Sequence, residues 1–169
     1  LHLNQRVDAN ALAGFAEVLL ATGVTPRDPK ILGQEAGVAR GQVLTYVDVL
    51  RHKKPVGPRV AIVGAGGIGF DVAELLSHGG DQPNDIEHFR NEWGIDASYA
   101  VRGGLKKPAD EPPPRQIWLL QRKTSKVGDG LAKTTGWIRR TLLKKRAVKM
   151  LPGVEYERID DAGLHIRVG

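Results

Sequence analysis

The apolar positions of this chain change their period at residue 63. Val60, Ala61, Ile62 and Val63 form an unbroken apolar run, the pattern of a buried strand. From Ile68 onward, Val72, Leu75 and Leu76 recur at helical spacing, which predicts a helix with one face on that strand, and Gly79-Gly80 offers a left-handed stop. A second apolar run, Gln116 to Leu120, predicts another strand, and residues 134–146 read as a basic helix with Ile138 and Leu142 inward. The last 22 residues alternate: Val148 to Leu151, Val154 to Ile159, and Leu164, Ile166 and Val168, separated by Pro152-Gly153 and by Asp160 to Gly163. They predict a three-stranded antiparallel meander.

The junction at residue 63 carries the most chemistry. Gly64-Ala65-Gly66-Gly67-Ile68-Gly69 is a G-x-G-x-x-G turn between strand and helix, the context in which that motif denotes a dinucleotide site. Gly64 allows the tight turn, Gly66 lets the backbone approach a pyrophosphate, and Gly69 lets helix and strand pack closely. The free amides and the positive end of the helix dipole then face the phosphates. A structural turn that binds nothing is the plainer alternative.

Upstream, FAEVLLATGVTPR predicts an apolar strand over Val18, Leu19 and Leu20 that ends in a sharp turn at Ala21-Thr22-Gly23. Residues 28–42 read as a loop, followed by a short amphipathic helix with Val43, Tyr46, Val47 and Leu50 on one face. Residues 79–115 form the longest irregular region, which reads as a functional insertion or a docking surface, with a tolerated surface excursion as the alternative. They hold one helix, with Asn84 as N-cap, Glu87 as its capping-box partner, and Ile86, Phe89 and Trp93 on one face.

The end of the second strand decides between cofactors. Strand-end Asp or Glu accepts from the ribose 2′-hydroxyl of NAD, whereas Arg or Lys meets the 2′-phosphate of NADP. Here Gln121 is followed by Arg122 and Lys123, so the expected ligand is NADP(H), with Arg122 and Lys123 on the 2′-phosphate.

Composition narrows the rest. With 169 residues and 41% hydrophobic content the chain can bury a real core, and no segment approaches the roughly 18 apolar residues of a membrane span. No cysteine is present, which excludes a disulfide framework, a thiol nucleophile and Cys-held metal or iron-sulfur within these residues, and the five His show no metal-ligand spacing. No catalytic residue and no metal ligand is assigned. The net charge of +6 fits either nucleic acid or a phosphate-rich small ligand. Arg139-Arg140 and Lys144-Lys145-Arg146 are the best case for nucleic acid, but no aromatics interleave them, and a solvated helix face is the preferred reading.

These strings together carry a resemblance. VAIVGAGGIGFDVAELLS, FRNEWGIDASYAVRGGL and QIWLLQRKTSKVGDGLAKTTGW, with LATGVTPR and VLTYVDVLRHKKPVG upstream, are similar to the bacterial NADPH-dependent 2,4-dienoyl-CoA reductases, iron-sulfur flavoenzymes. The resemblance implies an α/β Rossmann-like three-layer domain of the two-dinucleotide-binding flavoprotein type with an antiparallel meander. Residues 1–57 would end an FAD-binding segment and connect it, and residues 58–169 would form a truncated NADPH-binding domain. Gly64, Ala65, Gly66, Gly67, Ile68 and Gly69 would hold NADPH, and Ala21, Thr22 and Gly23 would lie by FAD. FMN and a 4Fe-4S cluster would sit elsewhere in a longer cytoplasmic parent chain, in which hydride passes from NADPH to FAD, electrons go singly through the cluster to FMN, and FMN reduces a dienoyl thioester in fatty acid β-oxidation. The partners implied are NADP(H) and the remaining parent domains, with no nucleic acid and no membrane. This piece alone would be inactive. A non-catalytic NADP-binding sensor on the same fold is the alternative.

Overall fold

The computed structural model describes residues 2–78, 85–109 and 111–169. Its centre is a three-stranded parallel sheet in the order β1 (Arg59–Val63), β2 (Gln116–Leu120), β3 (Lys149–Leu151). Arg59 pairs with Gln116 and Val63 with Leu120, so β1 and β2 run in step and end together. The first two strands and helix α4 (Gly67–Ser77) form where the apolar pattern puts them, but β1 is not the buried strand expected: Val60 and Ile62 are half-buried and its other residues are exposed, because the described residues cover one face of this strand.

The core lies between one face of the sheet and the helices. Ile117 and Leu119 of β2 meet Phe70, Val72, Ala73 and Leu76 of α4, Leu143 of α6 (Gly136–Lys145), and Val49 of α3 (Tyr46–Leu50). Burying a side chain as large as Phe70, Ile117, Leu119 or Leu143 stabilises by about 1.5–3 kcal/mol. On the opposite face Ala61 and Val63 are exposed, and the outer edge of β1 has no strand beside it among the described residues.

Helix α3 is the amphipathic helix expected between the two segments, and it starts at a capping box. Thr45 Oγ1 accepts from the Asp48 amide, and the Asp48 carboxylate accepts from the Thr45 amide. Two further short helices precede it: α1 (Ala9–Leu12), capped by Asp8, and α2 (Gln34–Ala39) within the expected loop of residues 28–42. That loop reading is corrected. Gly37 is buried against Val43 and Ile159, so tertiary contact sustains a helix that its glycines disfavour.

The strand expected over Val18, Leu19 and Leu20 is absent. These residues have no regular structure, and Leu19 and Leu20 are 96% and 81% exposed. A strand needs a neighbouring ladder for its amides and carbonyls, and nothing in the described residues supplies one here.

The expected meander is also corrected. Its first strand, β3, pairs parallel to β2, from Trp118 with Lys149 to Leu120 with Leu151, after the α6 crossover. Only β4 (Val154–Asp160) and β5 (Gly163–Val168) form an antiparallel hairpin, with a bulge between Tyr156 and Arg158. Pro152-Gly153 does not fold β3 onto β4, because the Gly153 amide donates to the Lys123 carbonyl and the Val154 amide to that of Gln121. The hairpin packs on α2 instead, where the Ile159 amide donates to Leu32.

Helix α6 turns a different residue inward from those expected. Leu143 is 1% exposed, Leu142 is half-buried, and Ile138 is 45% exposed. Helix α5 (Ile86–Trp93) is capped by Asp85, whose carboxylate accepts from the Glu87 and His88 amides. Asn84 and the Gly79-Gly80 stop lie outside the described residues. Within the long irregular region, Ile95 and Leu105 bridge, and Asp96 accepts from Ser98 and the Val101 amide, so this segment has a defined course after α5.

Candidate dinucleotide-binding site

The parallel register puts the two candidate ligand sets side by side. The Gly64 amide donates to the Leu120 carbonyl at 3.0 Å, extending the β1–β2 ladder by one residue, so the glycine turn and Gln121-Arg122-Lys123 leave the same end of the sheet. In open α/β sheets this carboxyl end is where ligands sit.

The glycines have separable reasons. Gly64 adopts φ +105°, a region that side chains rarely tolerate. A Cβ on Gly69 would lie 2.0 Å from the Gly64 carbonyl oxygen and 3.4 Å from Leu119. Gly66 has φ −82° and ψ −173°, ordinary extended backbone, and an added Cβ would meet nothing within 4 Å. Gly67 is equally open. Neither conformation nor internal packing demands glycine at these two positions, and what they leave is clear space in front of the helix.

That space faces hydrogen-bond donors. Gly66 is the N-cap of α4 and has no capping side chain, and the first helical bond runs from the Phe70 amide to the Gly66 carbonyl. The amides of Gly67, Ile68 and Gly69 are therefore free of helical partners and lie at the positive end of the dipole. Ala65 turns inward against the core, whereas Ile68 is exposed.

Arg122 and Lys123 are both exposed, and neither forms an ion pair among the described residues. The turn that carries them is held from within: Gln121 Nε2 donates to the carbonyls of Lys123 at 3.0 Å and Ser125 at 2.8 Å. Tyr156, delivered by β4, donates its hydroxyl to the Leu120 carbonyl at 3.3 Å. Burial pushes the Tyr156 phenol above its ordinary value, while the Arg122 charge and the Gly64 amide pull it down. The phenol thus sits among the ends of β1 and β2 and the basic turn.

Gln121 and Tyr156 were not singled out by the sequence. Alternation along β4 marks Tyr156 as inward with Val154, but not what it meets, and nothing local marks Gln121 as a clamp.

Ala21, Thr22 and Gly23 are not brought to this site by any hydrogen bond. They belong to the exposed irregular arm, with Gly23 at φ +73°. The basic helix spends its cations internally: Arg139 pairs with Asp71 on α4, Arg140 donates to the Gly128 carbonyl at 2.8 Å, Lys145 lies over the Trp93 ring, and Arg146 pairs with Glu92. These contacts remove most of the basic face that the nucleic-acid reading relied on. No helix is long and apolar enough to cross a membrane, and no group of three His, Asp or Glu able to hold a metal occurs among the described residues.

Comparison with known proteins adds independent findings. Residues 1–167 match the family described as pyridine nucleotide-disulphide oxidoreductase. Over 74 residues, 44% of this chain, the sequence is 38% identical to cinnamate reductase of Clostridium sporogenes, of which the match covers 10%. The solved structure of a 2-naphthoyl-CoA reductase with 2-naphthoyl-CoA aligns with a TM-score of 0.59 at 19% identity, covering 88% of this chain and 17% of that one. The second likeness is one of fold. The chain spans a small part of the length of either protein.

Proposed function

This chain belongs to the pyridine nucleotide-disulphide oxidoreductase family, and on that premise we propose that the glycine turn and the basic turn form one NADP(H) site. At the coarser level it is an oxidoreductase domain of a family that binds pyridine nucleotide and flavin. The observation that carries the finer reading is the clear space at Gly66 and Gly67, left in front of free helix amides and beside Arg122 and Lys123.

In this reading the amides of Gly67, Ile68 and Gly69 hold the pyrophosphate, with Gly64, Ala65 and Gly66 shaping the approach, and the two cations hold the 2′-phosphate. When bound, NADPH supplies a hydride for transfer to a flavin. This chain's part is to bind and orient the nucleotide, and no side chain at the turn is positioned as an acid or base.

The parent activity belongs to the same proposal: a reductase of the 2,4-dienoyl-CoA type acting in the cytoplasm in fatty acid β-oxidation. Residues 1–57 would end an FAD segment, with Ala21, Thr22 and Gly23 by the flavin, and residues 58–169 would be the NADPH-binding portion. The match to a cinnamate reductase supports reduction of a conjugated acyl group as the reaction class. The absence of cysteine means that any 4Fe-4S cluster takes its ligands from residues outside these 169, and FMN and the acyl site are assigned there too.

A calorimetric titration of the folded chain with NADP+ and NAD+, repeated on Arg122→Ala, tests the site. The expected result is a preference for NADP+ of about ten- to a hundredfold that collapses in the variant. Equal affinity for both nucleotides would overturn the cofactor assignment, and failure to bind either would overturn the site.

A further inference from the structure

Two exposed cations on a turn discriminate a 2′-phosphate from a hydroxyl only if the turn holds one shape. Among the described residues the side chains of Arg122 and Lys123 make no ion pair that would fix them, so their placement depends on the backbone beneath. That backbone is gathered by Gln121. Both hydrogens of its primary amide are used, one on the Lys123 carbonyl and one on the Ser125 carbonyl. Its main chain is used as well: the Gln121 amide donates to Leu151 at 2.9 Å, and its carbonyl accepts from Val154 at 2.9 Å. The Lys123 carbonyl takes a second bond from the Gly153 amide at 3.0 Å. Residues 121–125 are thus tied to the ends of β3 and β4 and closed by a single side chain.

We infer that Gln121 is a positioning residue for nucleotide choice: it sets the preference for a 2′-phosphorylated nucleotide by shaping the Arg122-Lys123 turn, without touching the ligand. The inference rests on the reading of Arg122 and Lys123 as the 2′-phosphate site. The chemistry is selective for glutamine. Glu at this position has no N–H to give two carbonyl oxygens, Asn is one methylene short, and Met keeps the length but offers no donor. The glycine turn is reached through Leu120 and Gly64 rather than through this side chain, so pyrophosphate binding is independent of it.

The test measures dissociation constants for NADP+ and NAD+ with the wild-type chain, Gln121→Met, Gln121→Asn, Arg122→Ala and the double variant Gln121→Met/Arg122→Ala, alongside urea midpoints. Loss of two neutral hydrogen bonds predicts about three- to tenfold weaker NADP+ binding in both Gln121 variants, with NAD+ binding unchanged. In the Arg122→Ala background Gln121→Met should weaken NADP+ binding less than it does in the wild-type chain, because residues acting through one another are not additive and only Lys123 is then left to position. Equal weakening of NADP+ and NAD+, or additive losses in the double variant, would reduce Gln121 to a merely structural role and overturn the inference. If Arg122→Ala leaves NADP+ binding untouched, the 2′-phosphate reading itself fails and the inference falls with it. The two failures are distinguished by the Arg122 variant alone. Should Gln121→Met unfold, Gln121→Asn carries the same comparison.

Discussion

A Cβ on Gly69 would lie 2.0 Å from the carbonyl oxygen of Gly64, five residues back along the chain at the other end of the glycine turn. The two residues hold helix against strand at a separation that no side chain permits. Gly69→Ala is therefore expected to destabilise the chain by about 1–3 kcal/mol through overpacking. Gly66→Ala should stay within about 0.5 kcal/mol of wild type, since its Cβ meets nothing, and yet should abolish nucleotide binding. Urea unfolding with parallel NADP+ titration separates the two effects, and loss of stability in Gly66→Ala would contradict the assignment of its open space to a ligand.

Helix α6 gives a second contrast. Leu143 is 1% exposed within the core and Ile138 is 45% exposed, against the periodic reading that turned Ile138 inward. Leu143→Ala is expected to destabilise by about 2–5 kcal/mol, and Ile138→Ala by less than about 0.5 kcal/mol. Thermal or urea midpoints of the two variants decide it.

Arg146 at the end of α6 pairs with Glu92 on α5 at 2.9 Å, with both side chains only 13% exposed. Removing one charge strands the other in a place that water reaches poorly. Glu92→Ala should destabilise by about 3–5 kcal/mol, whereas Glu92→Leu combined with Arg146→Met should recover most of that loss. A double-mutant cycle by urea unfolding measures the coupling.

The capping box of α3 predicts an acid response. Lys54, and then the hydroxyl and amide of Thr45, hold the Asp48 carboxyl well below its ordinary value of 3.8. A carboxyl depressed by folding favours the native state above 3.8. Below that pH the unfolded chain takes up the proton first, and the contribution declines until the folded-state value is passed. The stability gap between wild type and Asp48→Asn should therefore be constant from about pH 5 to about pH 7 and narrow below about pH 3.8, read from urea midpoints across pH. A gap that widens in acid would refute the assignment.

The segments read correctly from the sequence were those whose burial is decided by their own period. The run from Val60 to Val63 and the run from Gln116 to Leu120 are apolar enough to enter the sheet, although Ala61 and Val63 stay exposed on its uncovered face, and the helix from Gly67 follows from its apolar spacing and the glycine turn before it. The basic pair after β2 was legible for the same reason: the end of a strand is a local event. Val18 to Leu20 shows the limit of that logic. Its composition suits a strand, but a strand exists only where another backbone offers a ladder.

By itself the sequence determined the strand, glycine turn and helix, the end of the second strand, and the residue types available to a nucleotide. Tertiary structure decided the partners. Val148 to Leu151 alternates as a meander strand would, yet the α6 crossover returns its Lys149–Leu151 portion parallel to β2, and the Gly153 amide then binds Lys123 rather than closing a hairpin. Gln121 becomes a clamp, and Tyr156 a neighbour of Gly64 and Arg122, only after that pairing is made. Periodicity records which face an element buries, because burial depends on the side chains of that element. Pairing depends on hydrogen-bonding groups that every residue shares, so its outcome is settled by the closure of distant segments.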